Sequence, residues 1–172
     1  MNIIVIANII SLAGCIVMVL TGLIQTKRNI LTAQVFTFAL LGLANLLLGG
    51  ISAVVSNIIA IIRNVYCIKF KLTWPVKLVF MGLQLVLTIV FNDDGLIGYL
   101  PLLANIIYIS LLDTENEVVL KLAIMTSTAC WIVFDFVMLN FSGTVFDVIT
   151  VVSNLVGIII LVKNGKKLHS EQ

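Results

Sequence analysis

Charge is scarce in this chain. Asp, Glu, Lys and Arg together make up 10% of its residues, whereas a soluble globular domain carries about a quarter. With 61% of residues hydrophobic, too little polar surface remains to cover a water-exposed fold, which excludes a soluble enzyme or binding domain. Histidine occurs once, as His169 in a polar tail, and gives no sign of catalysis. The three cysteines, Cys15, Cys67 and Cys130, all lie inside apolar runs, with no CxxC pair and no neighbouring histidine. That argues against a disulfide framework or a zinc site and for small packing residues. An HExxH helix, a phosphate-binding glycine loop, a Ser/His/Asp set and a basic–aromatic surface for nucleic acid are all missing. No cofactor, metal ligand or catalytic residue is assigned, and the chain is not expected to be an enzyme.

What the chain has is apolar length. Seven runs can be read, roughly 3–25, 30–48, 51–68, 76–91, 95–112, 118–139 and 144–162. Helices are the economical spanning element, because hydrocarbon offers no partner to backbone N–H and C=O groups. At about 1.5 Å per residue the longer runs cross a core of roughly 30 Å. A barrel needs alternating strands, and stretches such as Ile58 to Ile62 do not alternate. Run four is the weakest, since Pro75 opens it and Lys77 sits in its first turn. Leu12-Ala13-Gly14-Cys15 looks like a lipoprotein cleavage box, but no basic residue precedes it and the apolar run continues to Ile24, so run one reads as a retained helix.

The ten Lys and Arg residues sort by side. Threaded as a serpentine, the runs deliver Lys27 and Arg28, then Arg63, Lys69, Lys71 and Lys77, then Lys121, then Lys163, Lys166 and Lys167 to one face of the membrane. Short basic loops stay cytoplasmic, so the amino terminus is expected outside and the carboxyl terminus inside. Omitting run four would break this sorting. The net charge of +2 reflects loops that face anionic lipid, not affinity for nucleic acid.

An internal repeat is suggested by two echoes. Ile6-Ala7-Asn8-Ile9-Ile10 returns as Leu103-Ala104-Asn105-Ile106-Ile107, and Ser56-Asn57 returns as Ser153-Asn154, both at an offset of about 97 residues. Two like-oriented three-helix units need an odd number of spans between them, which run four supplies. The expected fold is an all-α membrane protein of seven transmembrane helices in a 3+1+3 parallel-repeat arrangement. Residues 1–70 form the first unit, 71–93 the linker helix, 94–165 the second unit and 166–172 a cytoplasmic tail. A substrate site would lie near the midplane between the units.

Polar residues within the runs are the informative ones. Asn57 and Asn154, near mid-depth, either offer donors and acceptors to a neutral polar solute across a pseudo-twofold axis or bond between helices. Asn8 and Asn105 are read as interhelical bonds. Asp135, the acid well within a run, lies about 6 Å from the outer end of its helix. It is either a coupling or solute-contact group or a hydrated carboxylate at the outer interface. Asp147 is read as interfacial. Arg63 either snorkels to cytoplasmic headgroups or closes the inner mouth as a gate. Trp131, one turn before Asp135 on the same face, either stacks on a solute or packs on lipid and helix. Pro101 is expected to bend the fifth helix. Asn92-Asp93-Asp94-Gly95 reads as a solvated outer turn, and Asp113 to Glu117 ends one helix and caps the next.

Cys130-Trp131, Asp135-Phe136 and Gly143-Thr144, followed by Asn154, resemble the carboxyl half of the YgjV family of bacterial inner-membrane proteins. Asn45-Leu46-Leu47-Leu48-Gly49, then Asn57 and Ile62-Arg63-Asn64, look like the matching amino half. The resemblance covers about residues 8–163. That family is similar in plan to the PnuC vitamin transporters and the SWEET sugar transporters. The resemblance implies that an asparagine on the third helix of each unit and a tryptophan on the second line the solute pocket. Asn57, Asn154 and Trp131 match, with Asn45 and Asp135 as further contacts. The partner of Trp131 at the repeat offset is Gln34, Pro101 is followed by Leu102 instead of glutamine, and Asp135 stands where relatives often carry a histidine in helix six.

The expected function is transport of a small polar solute across the bacterial inner membrane, with membrane lipid and that solute as partners, no nucleic acid, and a homo-oligomer open. The competing readings are a non-transporting interaction or scaffold subunit and, less well supported, a membrane enzyme. The topology is checked by labelling single cysteines placed at Lys69, Lys166 and Asp93. An impermeant reagent added outside should reach only position 93, and external labelling at 69 or 166 overturns the charge-sorted threading.

Overall fold

The computed structural model describes residues 2–21, 27–114 and 116–170. Glu115 of the capping segment lies outside that description, as do the side chains of Lys27 and of the tail residues Lys166, Lys167 and His169. Among the described residues there is no strand. The chain forms α1 (Ile3–Thr21), α2 (Lys27–Leu48), α3 (Ile51–Lys69), α4 (Trp74–Phe91), a 3-10 turn (Ile97–Tyr99) leading into α5 (Leu100–Leu111), α6 (Glu117–Val137) and α7 (Phe141–Ser170). Helices at 3–20, 28–48, 51–69, 74–91 and 141–163 are long and apolar enough to cross a membrane, so five of the seven expected spans stand on length and composition. The apolar segment Ile97–Leu111 is shorter, and α6 carries Ser127, Thr128 and Asp135 on a buried face. These two helices sit in the bundle by packing more than by their own apolar length.

The helices close into a ring. α1 packs along α2 and α2 along α3; α5 packs along α6 and α6 along α7. The two sets meet where α1 touches α7 and where α3 touches α5. α4 stands outside this ring, against α3 and α5.

The inside of the bundle is polar and its outside apolar. Buried residues include Gln34, Asn45, Asn57, Arg63, Asn64, Gln84, Asn105, Asp135 and Asn140, while Val79, Val86, Ile89, Val90, Phe136 and Val152 are all more than half exposed. In water that skin would drive aggregation. In lipid it costs nothing, and association then rests on close packing and interhelical hydrogen bonds.

Such bonds bolt α4 in place. Gln84 Nε2 donates to Ser56 Oγ at 2.6 Å, and Gln84 Oε1 accepts from Asn105 Nδ2 at 3.3 Å. Asn105 Nδ2 also reaches the Ser56 carbonyl at 3.2 Å. Lys77, though a lysine, is buried, donating to the Ser110 carbonyl at 2.7 Å and pairing with Asp113. Its ammonium therefore holds the start of α4 to the end of α5, and the apolar weakness of run four is offset by these polar contacts. Below them Ile59, Leu72, Phe80, Ile109 and Leu112 form the apolar cluster between α3, α4 and α5.

The two turns α2–α3 and α6–α7 are built alike. Gly50 N–H donates to the Asn45 carbonyl and Asn140 N–H to the Asp135 carbonyl, each at 2.9 Å. Both turns pass through positive φ, at Gly49 (83°) and at Leu139 (60°). Glycine meets this conformation without a Cβ clash, whereas leucine there is strained. The Leu139 carbonyl accepts from Asn8 Nδ2 at 3.1 Å, and Asn8 Oδ1 accepts from Ser142 N–H at 3.0 Å. Asn8 thus ties α1 to this turn, an interhelical role of the kind expected for it.

Two expectations need correction. Pro101 does not bend a helix: it occupies the first turn of α5, where its missing N–H would have lacked a partner anyway. The outer acidic turn is not simply solvated, since Asp94 accepts from the buried Ser52 hydroxyl and Asn92 Nδ2 donates to the Gly95 carbonyl at 2.8 Å. The capping expectation matches at Asn116, whose Oδ1 accepts from the N–H groups of Val118 and Val119 at 3.0 and 3.2 Å.

Gln84→Ala should lower the unfolding free energy in detergent by about 1–3 kcal/mol, because Asn105 and Ser56 lose a buried partner. Val90→Ala, on the lipid-facing side, should change it by no more than about 0.5 kcal/mol. Thermal unfolding of the two purified variants measures the contrast.

Candidate functional site

Inside the ring lies a cavity of about 70 Å³. Its wall is drawn from α1, α2, α3, α5, α6 and α7, and no residue of α4 reaches it. Eight pairs of lining positions stand 90 residues apart, while Arg63, Ser127, Gly143 and Phe146 have no counterpart on the wall. Cys15 and Met18 of α1 correspond to Asn105 and Tyr108 of α5. Gln34, Phe38, Leu41 and Asn45 of α2 correspond to Ile124, Thr128, Trp131 and Asp135 of α6. Asn57 and Ala60 of α3 correspond to Asp147 and Thr150 of α7. Spacings of three and four residues put each helix's set on one face.

The two ends of the cavity differ. Near the end that carries the α2–α3 and α6–α7 turns stand Asn45, Asp135, Asn57 and Asp147. Asn57 follows the first residue of α3, and Asp147 the first residue of α7, by the same six positions, or about 9 Å of helix. Asp135 is 5% exposed, and its Oδ1 has no protein hydrogen-bond partner. Its other oxygen lies against α7 where only glycine leaves room: a methyl on Gly143 would fall 2.3 Å from Asp135 Oδ2 and 2.5 Å from Asn140 Nδ2. Asp135 and Asp147 both line the cavity. Trp131, one turn from Asp135, packs edge-on against Phe134 with ring centroids 5.9 Å apart.

Deeper in the bundle, about 18 Å along α3 from its start, Arg63 is fully buried. Its Nε donates to Asn64 Oδ1 at 3.1 Å, and its Nη1 lies 3.5 Å from Asn105 Oδ1, at the long limit for a bond. The guanidinium carbon stands 4.8 Å above the Tyr108 ring, a cation–π contact. Nη2 has no protein partner. Asn64 is held in turn by donating to Gln34 Oε1 at 2.9 Å. Five N–H donors are available on a guanidinium, and this frame occupies few of them.

The structure brings together Asn45, Asn57, Trp131, Asp135 and Arg63 around one cavity. Asn154 is not among them. It is half-buried and donates to the Thr150 carbonyl of its own helix at 2.8 Å, so it does not face Asn57. Pro101 is also away from the wall. Arg63 does not snorkel, because the Asn57, Ala60, Arg63 face of α3 turns it inward. Asp135 is not a hydrated interfacial carboxylate, and Asp147 is not merely interfacial but lines the cavity. Asp147 could have been found from its spacing of four after Gly143 and three before Thr150, which places it on a face that is small and polar.

The sequence matches the model of the Imp-YgjV family, described as bacterial inner membrane protein, over residues 5–164. No curated protein and no solved structure matches it.

Gly143→Ala should displace the Asp135 carboxylate and destabilise the bundle by about 1–3 kcal/mol through overpacking. Gly82→Ala, where nothing lies within 4 Å of the added methyl, should be neutral or stabilising by up to about 1 kcal/mol. Unfolding midpoints of the two alanine variants check this, and equal behaviour would remove the proposed close contact.

Proposed function

The chain belongs to the Imp-YgjV family of bacterial inner membrane proteins, and on that footing we propose that it is a carrier of a small polar solute across that membrane. The reading rests chiefly on one observation. Asn45 Oδ1, Asn57 Nδ2, Arg63 Nη2 and Asp135 Oδ1 are buried on the wall of one cavity, and none has a protein partner. A buried polar group left unmatched costs about 1–3 kcal/mol, and more when charged. Four on one wall suit a solute that supplies the missing bonds.

The architecture in this reading is two parallel three-helix repeats, α1–α3 and α5–α7, joined by α4 in a SWEET- and PnuC-like 3+1+3 plan. Support comes from the alike turns, the recurrence of lining positions, and the match between the α1–α7 and α3–α5 contacts. The register is 90 residues, not the 97 suggested by the sequence echoes, which matched abundant Ile and Asn. Asn57 therefore pairs with Asp147, Asn45 with Asp135, and Trp131 with Leu41. The amino terminus is outside, since Arg28, Lys69, Lys71 and Lys163 lie toward the opposite end. Rocking of one repeat against the other would open the cavity to each side in turn.

A non-transporting subunit is the second reading, favoured by the small volume of the cavity. Cys15, buried on the wall, separates the two. With Cys67 and Cys130 replaced by alanine, a carrier should expose Cys15 to an impermeant methanethiosulfonate reagent from each side of the membrane. A sealed scaffold should protect it from both, and protection from both would overturn the carrier reading. For a transported solute, Asn57→Ala should lower uptake at least about tenfold, the loss of one bond made to a buried group. Asn154→Ala should leave it nearly unchanged.

A further inference from the structure

The frame of the cavity is nearly symmetric but its charge is not. At two pairs of corresponding positions the first helix set carries amides, Asn45 and Asn57, and the second carries carboxylates, Asp135 and Asp147. The cavity's cation, Arg63, lies on the amide side. The residue 90 positions later is Ser153, which is exposed and off the wall. Acid thus faces base across the space between the helix sets.

These charges do not neutralise each other. Among the described residues the one ion pair is Lys77 with Asp113, so neither Asp135 nor Asp147 is bridged to Arg63. Buried charges without a counter-charge are strongly disfavoured, and removing such groups from water is repaid only by close opposite charge and hydrogen bonds. The unmatched charged atoms divide the same way, with Asp135 Oδ1 on the second helix set and Arg63 Nη2 on the first, while the first set's amides leave one acceptor and one donor. Asp135 Oδ1 and Asn45 Oδ1 are acceptors, whereas Arg63 Nη2 and Asn57 Nδ2 are donors. The amide assignments can be exchanged by a flip, but the carboxylate and the guanidinium cannot.

We propose that the cavity binds a zwitterion, its ammonium end set between Asp135 and Asp147 and its carboxylate end on Arg63 and Asn57. Trp131, a turn from Asp135, presents an aromatic face to the ammonium. The guanidinium offers its free edge to the carboxylate in the geometry that makes arginine the usual partner of carboxylates. A simple anion would meet two carboxylates, and a simple cation would meet the guanidinium. A neutral solute would leave both charges uncompensated. Arg63 lies six residues deeper from its helix start than Asp147 does, about 9 Å along the axis. The guanidinium itself reaches back to Asn105, which bonds the Ser56 carbonyl beside Asn57, so Arg63 and Asn57 can share one carboxylate. This identification of the solute class rests on the carrier reading for its purpose but not for its binding chemistry.

The test uses the purified full-length chain in detergent at pH 7. Its thermal unfolding is followed with glycine, β-alanine, γ-aminobutyrate and 6-aminohexanoate, and with butyrate, butylammonium and butyramide as matched single-charge and neutral probes. At least one zwitterion should raise the midpoint at concentrations where the single-charge and neutral probes do not. Asp135→Asn should weaken that binding roughly tenfold to a hundredfold. The variant is expected to fold because Asn45 occupies the corresponding position as an amide. Arg63→Gln should weaken zwitterion binding similarly. Equal stabilisation by butyramide or by a singly charged probe overturns the proposal, as does failure of every zwitterion to stabilise the wild type. Zwitterion binding without uptake into proteoliposomes would support the site and remove the carrier reading. Uptake of a neutral solute without zwitterion binding would do the reverse.

Discussion

Hydrocarbon cannot hydrogen-bond, and the structure follows from that. Every amide, hydroxyl and charge carried into the spans must find a partner inside the protein or face a cavity. The bundle therefore buries its asparagines, glutamines and Arg63 and turns its valines, isoleucines and leucines outward. Interhelical contact is made by bonds such as Gln84 to Ser56 and Asn64 to Gln34, at 2.6 and 2.9 Å. In a soluble protein these would be secondary to an apolar core. Here they set which faces meet.

The same constraint makes the exceptions informative. Most buried polar groups are paired; of the six buried side-chain atoms without a protein partner, those of Asn45, Asn57, Arg63 and Asp135 border one cavity, and Thr37 Oγ1 and Asn140 Nδ2 lie off it. Gly143 shows the space being kept open on the acidic side, since any side chain there would collide with Asp135. Arg63 shows the opposite device, a long charged stem pinned by Asn64 and the Tyr108 ring while one nitrogen stays unmatched. α4 lends Gln84 and Lys77 to the frame and nothing to the wall.

Much of the frame was legible along the chain. Apolar run length located all seven helices to within a few residues at most ends, because burial in lipid demands continuous apolar sequence. Along the chain, Gly49-Gly50 and Ser142-Gly143 read as the two outer turns; the first is where the structure turns, but the second lies inside α7, because Leu139 adopts positive φ without a glycine to announce it. Asn57, Trp131 and Asp135 were singled out as polar or aromatic side chains in apolar surroundings, and Asn45 through the family resemblance. Asp147 was passed over because distance from a helix end was taken as depth of solvation, while its helix face was ignored. Asn154 was over-read for the converse reason: it is polar and near mid-depth, but a bond to its own helix satisfies it.

The chain's order of residues by itself determined the membrane class and the helix count, since each depends on local composition integrated over one span. Membership in the family follows from that order as well. Only the tertiary structure decided the inward turn of Arg63 and the gathering of Asp135 and Asp147 around one cavity. Those depend on which of several equally polar faces points toward the centre. Rotation of a helix about its axis is set by packing against its neighbours, and no single span contains that information.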